Sequence, residues 1–215
     1  HVYNCTVNGY SGSVINLAPP VTAGAPNVSV HCLLTAQPVA ALNGTGAGFI
    51  VPVINISACD NVLIENVEFL EVNNQPLIHL SSCSAFVIQS SKTEGSTFSH
   101  QATGPVSNKL IWLQNSYGFI GPFSLNGSSI TGSGGQPPIF VSVEAGSTNQ
   151  SVTMIAPTIG INSGTGTLTL FQDGPMTLNC IGPPNVLSLG TGPAVMRLTN
   201  SGTGAAASNL AMVTQ

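Results

Sequence analysis

Apolar residues along this chain come in short runs that alternate with polar ones. Val28-Ser29-Val30, Ile54-Asn55-Ile56, Ile78-His79-Leu80, Ile139 to Val143, Val152-Thr153-Met154, Leu168-Thr169-Leu170, Met176-Thr177-Leu178 and Val195 to Leu198 all keep a period of two. That period turns one side of the backbone inward and the other outward, as in a half-buried strand. Between the runs lie clusters that turn the chain, such as Gly44 to Gly48, Gly132 to Gly135 and Gly182-Pro183-Pro184. With 24 Gly and 15 Pro scattered through the sequence, few windows long enough for a helix escape both. Only residues 65–76 tempt, because Glu65, Glu68 and Glu71 are spaced by three. Val62, Ile64, Val67 and Phe69 fit a strand as well, so a strand followed by a turn is expected there.

One pattern recurs. Ile54, Ile78 and Ile111 are each followed two residues on by Ile56, Leu80 and Leu113. Cys59, Cys83 and Ser116 come next, and then Val62, Phe86 and Phe119. Cys5, Cys32, Cys59 and Cys83 stand 27, 27 and 24 residues apart, which suggests one angular position in successive turns of a coil. Two of them, Cys59 and Cys83, share the local register; Cys5 and Cys32 share only the spacing. Such cysteines pack as small hydrophobes, or pair as Cys5–Cys32 and Cys59–Cys83, since stacked neighbours bring Cα atoms close enough to bridge.

Two all-β architectures accommodate short strands of this kind. A parallel β-helix lays each turn on its predecessor, so that like residues recur and stack. An antiparallel β-sandwich is the alternative, but it needs hairpins and has no reason to repeat the same side chains. The recurrence favours a single solenoid over residues 1–215, of about eight rungs at about 27 residues each, clearest in residues 1–125. The segment Ile54 to Phe69, with Cys59, Val62, Ile64, Asn66 and Phe69, resembles rungs of right-handed parallel β-helix proteins of the pectin-lyase-like class. Asn4 to Gly12 resembles rungs of repeat-built surface proteins of the polymorphic outer-membrane kind. The paired Gly-Gly-Ala-Ile and Phe-x-x-Asn tetrapeptides of that family do not recur, so the resemblance implies architecture only.

Charge narrows the partners. Lys and Arg number 3 and Asp and Glu 7, or 5 % of the chain, against about 25 % in an ordinary domain. Lys92, Lys109 and Arg197 make no basic patch, which excludes the counter-ion-release grip on nucleic acid and a polybasic hold on lipid. No apolar run approaches the roughly 18 residues of a membrane span. At 42 % hydrophobic the chain is not of disordered composition either. It opens on His1 in what reads as mid-strand, so a piece of a longer polypeptide, or a mature chain after signal removal, is expected.

Candidate chemistry is sparse. The acids Asp60, Glu65, Glu68, Glu71, Glu94, Glu144 and Asp173 include one close group, Glu65, Glu68 and Glu71, which reads as a solvated rim rather than a calcium site. His1, His31, His79 and His100 show no metal-ligand spacing, and His79 should point outward between Ile78 and Leu80. Trp112 with Tyr3, Tyr10 and Tyr117 offers material for an aromatic sugar platform. No catalytic, cofactor or metal site is expected. N-glycosylation sequons stand at Asn4, Asn27, Asn43, Asn55, Asn126 and Asn149. The expected role is a non-enzymatic, extracellular structural module of a cell-surface appendage or filament. It would assemble with copies of itself or the rest of a longer chain, with glycans as further partners. A viral or phage spike binding host glycans is one alternative, a β-helix polysaccharide lyase or hydrolase another, and an ice-binding array around Thr165, Thr167 and Thr169 a third.

Overall fold

The computed structural model describes residues 2–3, 13–17, 27–34, 52–70, 72, 75–99, 109–125, 128–131, 138–143, 150–155, 158–163, 168–173, 176–181, 185–188 and 196–200. Among these, every regular element is a strand. In chain order they begin with β1 (Val2–Tyr3), β2 (Ile15–Leu17), β3 (Asn27–Leu34), β4 (Ile54–Ser57) and β5 (Asp60–Leu70). Next come β6 (Ile78–Ser81), β7 (Phe86–Gln89), β8 (Ser91–Glu94), β9 (Thr97–Ser99) and β10 (Lys109–Gln114). They continue with β11 (Gly118–Ile120), β12 (Phe123–Ser124), β13 (Ser128–Thr131), β14 (Ile139–Val143) and β15 (Gln150–Ile155). The last are β16 (Thr158–Ser163), β17 (Leu168–Asp173), β18 (Met176–Ile181), β19 (Asn185–Ser188) and β20 (Met196–Asn200).

The smaller sheet runs β2-β4-β6-β10-β14-β17-β20, and the larger takes the other thirteen strands. Every described pair is parallel. Parallel neighbours need a crossover rather than a hairpin, so the described strands do not form the antiparallel sandwich held as the alternative. The expected alternation is what sets their register. Ile15 opposes Ile54, Ile54 opposes Ile78, Ile78 opposes Ile111 and Ile111 opposes Val141. Phe171 and Leu198 carry the same row to the end of the sheet. Ile54, Ile78, Ile111 and Val141 are wholly buried, and a one-residue slip would turn each of them to solvent.

The larger sheet has two limbs that share β5. Its first half pairs β7 through Leu63–Val87, Ile64–Ile88 and Glu65–Gln89; its second pairs β8 through Glu68–Lys92, Phe69–Thr93 and Leu70–Glu94. Asn66, at φ 54°, makes the bend between the halves. The segment with helix-like glutamate spacing is thus two short strands joined at a left-handed residue. Inside, Phe123 packs 6.4 Å from Phe69 and edge-on to Phe140 at 5.4 Å.

A left-handed corner followed by a small hydrogen-bonding residue recurs. Ala58, Ser82, Ser90, Asn115 and Gly95 all have φ between 45° and 64°. The next residues are Cys59, Cys83, Ser91, Ser116 and Ser96, all buried. Each reaches back across the corner to the carbonyl two residues earlier: Cys59 Sγ to Ser57 at 3.2 Å, Cys83 Sγ to Ser81 at 3.5 Å, Ser91 Oγ to Gln89 at 3.0 Å, Ser96 Oγ to Glu94 at 3.4 Å and Ser116 Oγ to Gln114 at 2.8 Å. Three of the hydroxyls also accept a backbone N–H from the preceding pass: Ser91 from Val67, Ser96 from Val72 and Ser116 from Cys83. A buried corner N–H left without a partner would cost about 1–3 kcal/mol. Cys and Ser share the sixth repeat position because both are small and both satisfy this corner.

Two sequence expectations need correcting. Phe119 does not continue the row of Val62 and Phe86: Phe86 opposes Gly118, and Phe119 opposes Val87. The cause is one missing residue. Asn61 and Ala85, both left-handed, lengthen the first two corners, whereas Ser116-Tyr117-Gly118 turns in one residue fewer. The cysteine ruler also holds from Cys59 to Cys83 to Ser116 but not at Cys32. Because His31 opposes Glu65 and Leu33 opposes Glu68, Cys32 lies beside the Asn66 bend instead of above Cys59. Cys180 opposes Met154, in the row of Ile64, Ile88 and Ile120.

Candidate functional site

Two outward surfaces carry the side chains with chemistry. The first is the outer face of the smaller sheet. Strand pairing puts Asn16, Asn55, His79, Trp112, Ser142, Gln172 and Thr199 in one row, one residue per strand; Ser142 is buried, and for Gln172 and Thr199 the backbone alone is described. The row bonds along its own length. Asn55 Nδ2 donates to Asn16 Oδ1 at 2.9 Å, and Asn55 Oδ1 lies 2.8 Å from His79 Nδ1. With its amide nitrogen turned to Asn16, Asn55 presents an acceptor, so His79 Nδ1 carries the hydrogen and Nε2 is bare. His79 stacks on Trp112 with ring centroids 4.0 Å apart, and Lys109 Nζ stands 4.6 Å from the Trp112 ring centre. Burial lowers the His79 pKa to about 4, the Lys109 cation adding to the effect. Beside this row Ser81 Oγ donates to Gln114 Oε1 at 3.1 Å.

His79 points outward as its alternation requires, but it is half-buried within the stack. Trp112 gives one ring face to His79, which differs from a bare aromatic platform; Tyr117 is exposed. Asn55, the one sequon residue whose side chain is described, uses in the row the amide nitrogen to which a glycan would attach.

The second surface is the bend of the larger sheet. Lys92 Nζ sits 2.5 Å from Glu68 Oε1 and 3.1 Å from Glu94 Oε2, and Gln89 Nε2 donates to Glu65 Oε2 at 2.8 Å. Ser84 Oγ donates to Asp60 Oδ1, so Asp60 lies one pass from Ser84 as its place in the repeat implies. A shallow groove of about 430 Å³ follows the bend, lined in part by Asn66, Glu68, Ser90, Lys92, Pro122 and Ser124. Glu68 lines the groove and Glu94 shares Lys92 with it; a glycosidase pair would need one such carboxylate to hold a proton near neutrality. Lys92 pushes Glu94 the other way, below the usual carboxylate range, while Glu68 and Glu94 raise Lys92. The arrangement suits a charge clamp between passes.

Cys59 and Cys83 are buried free thiols in adjacent passes. Burial pushes Cys83 up to about 11, and raises Cys59 as well, which keeps both protonated and unreactive. Among the described residues, no group of three or more His, Cys, Asp or Glu could hold a metal ion, and no helix is long and apolar enough to cross a membrane. Asn4, Asn43, Asn126, Asn149, Cys5, His1, His100, Tyr10, Glu71, Glu144, Thr165 and Thr167 lie outside the described residues. For Asn27, Cys32, Tyr3 and His31 the backbone alone is described.

Sequence reasoning missed Asn16, Gln89, Lys92 and Gln114 as partners. A signal for most of them was present. Adding the 24-residue step carries Asn55 to His79, Glu65 to Gln89 and Glu68 to Lys92, and the 33-residue step carries His79 to Trp112 and Ser81 to Gln114.

No family model matches the chain, and no curated protein or solved structure does either.

Proposed function

We propose that the chain is a β-solenoid acting as a non-enzymatic structural module outside the cell, in a surface appendage or filament. One observation carries this reading: the outward side chains bond up and down the stack. Asn16 with Asn55, Asn55 with His79, Ser81 with Gln114, Glu65 with Gln89 and Glu68 with Lys92 each join one pass to the next. Side chains committed to their neighbours along the stack stiffen it. The low charge fits the same role. Ten ionisable Lys, Arg, Asp and Glu residues in 215 leave little self-repulsion between adjoining copies. Parallel strands offer backbone edges that a further strand extends by β-augmentation, which makes other copies or further chain the natural partners. Hydroxyl and amide groups, with six sequons, suit an extracellular surface.

Sedimentation velocity over about a hundredfold range of concentration, with negative-stain imaging, tests the reading. An elongated particle that associates into longer rods as concentration rises is expected. A compact particle, or one strictly monomeric throughout, would refute it.

A further inference from the structure

Cys59 and Cys83 occupy the same corner of adjacent passes, and the backbone is level on both sides of them. Ser57 pairs with Ser81 before the corner, Asp60 bridges to Ser84 after it, and the Ser84 N–H donates to Cys59 O at 3.1 Å. In-register strands stand about 4.8 Å apart, inside the Cα range of roughly 4.4–6.8 Å that a disulfide requires. Both side chains are buried in the core. The second thiol also leans toward the first: Cys83 Sγ lies 3.4 Å from the carbonyl oxygen of Ile56, in the pass that carries Cys59. Ser116, next in the column, leans the same way onto Leu80 O at 3.2 Å, but with a hydroxyl. Two thiols therefore face each other across one step, with no third in the column to compete. A link gives up little, because the thiol is a weak donor in its present bonds to carbonyls.

We propose that Cys59 and Cys83 form a disulfide that staples the two passes, made while the chain folds and sealed when the corner closes. The thiolate of one attacks a small-molecule disulfide such as oxidised glutathione, forming a mixed disulfide and releasing one glutathione thiolate. The thiolate of the other attacks the protein sulfur of that mixed disulfide and expels the second glutathione. Two cysteine sulfurs are oxidised, two glutathione sulfurs are reduced, and both thiol protons end on glutathione. Burial holds the two thiols protonated once the corner is shut, and only a thiolate attacks. The exchange therefore belongs to the open corner of the folding chain. In taking its oxidant from outside the cell the staple rests on the proposed role, since disulfides persist there; the pairing stands on the register alone.

The full chain is unfolded in urea with reductant and refolded in a mixture of reduced and oxidised glutathione, and remaining thiols are capped with N-ethylmaleimide. Pepsin digestion at acid pH, which stops exchange, and mass spectrometry of the unreduced peptides then map the link. A peptide pair joining Cys59 to Cys83 is expected as the main product. Folded, reduced protein given the same mixture should form it at least about tenfold more slowly. The link spans the 24-residue step between passes, so it should raise Tm by about 7–14 °C over the reduced protein. Cys83→Ser should lack that gain and melt with the reduced parent. If this variant does not fold, the peptide map and the two melts of the parent decide. Cys59 and Cys83 recovered capped after refolding, or linked mainly to Cys5, Cys32 or Cys180, would overturn the pairing. Equal rates from the folded and unfolded chain, or a Tm unmoved by the link, would overturn the sealed staple. Sedimentation in reductant reads the elongated, self-associating particle separately, so the structural role and the disulfide can fail independently.

Discussion

Replacing Gly118 by alanine tests the register directly, because the shortened corner leaves that position no room. A Cβ there would stand 2.2 Å from the Phe86 carbonyl oxygen, 2.6 Å from Phe86 Cγ and 2.7 Å from Phe86 N. Swinging the Phe86 side chain about χ1 would relieve only the second contact. The backbone contacts remain, and that backbone is tied by the Phe86 N–H to Tyr117 O bond at 3.2 Å. Overpacking a filled site costs about 1–3 kcal/mol. With two backbone atoms in the way, Gly118→Ala belongs at the upper end, about 3 kcal/mol. For a domain of this length that lowers Tm by about 6–12 °C. Gly121→Ala is the internal control: its Cβ would meet Gln89 Cβ at 3.0 Å and Phe119 Cε1 at 3.1 Å. Those are side-chain atoms, and the Phe119 ring is only half-buried, so about 1 kcal/mol is expected. Urea unfolding followed through Trp112 fluorescence gives both values, with m unchanged. A Gly118→Ala cost below about 0.5 kcal/mol, or no larger than that of Gly121→Ala, would refute the pairing of Gly118 with Phe86.

Further outcomes follow from the corners and the outward row. Cys83→Ser should stay within about 1 kcal/mol of the parent, since serine fills the equivalent corner at Ser116, whereas Ser116→Val should cost about 1–3 kcal/mol by stranding the Cys83 N–H; equal costs in urea melts would undo the corner account. Ala85, exposed at φ 50°, should gain up to about 1 kcal/mol on mutation to glycine and lose about that much as valine, and calorimetric melts with the opposite order would contradict it. His79 has a folded pKa of about 4 against an ordinary 6.5, so its neutral form is favoured by folding. The stability it adds is therefore complete above pH 6.5 and is lost as pH falls towards 4. The nominal gap of about 3 kcal/mol shrinks to about 1 kcal/mol because solvent reaches the half-buried ring. His79→Gln should flatten denaturant midpoints across that window, and an unaltered slope would assign the effect elsewhere.

Much of the strand register was legible because alternation and stacking write the same information twice. Ile54, Ile78 and Ile111 must face inward and must also lie level, so their recurrence is visible in the letters. The Cys59, Cys83 and Ser116 positions were legible for a related reason, as each corner accepts only a small residue able to hydrogen-bond. The third pass escaped because a corner shortened by one residue leaves no mark except Gly118. Cys32 misled because its distance from Cys59 matches a repeat length, while the irregular pairing of His31 and Leu33 shifts it along the strand. The outward row was harder to see. Asn55, His79 and Trp112 share no chemical type, so nothing in their identities announces contact, and only the 24- and 33-residue steps bring them level.

The central claim is that equivalent residues of successive passes lie one strand spacing apart along a common axis. Double electron–electron resonance between spin labels tests it, with one label at Asn16 and the other in turn at Ser142, Gln172 and Thr199, in a background whose native cysteines are serine. Those positions are four, five and six paired strands from Asn16. At about 4.8 Å per strand the backbone separations should rise steadily, about 19, 24 and 29 Å. Distances that failed to lengthen in that order, or that jumped by tens of ångströms between neighbouring labels, would contradict the stack.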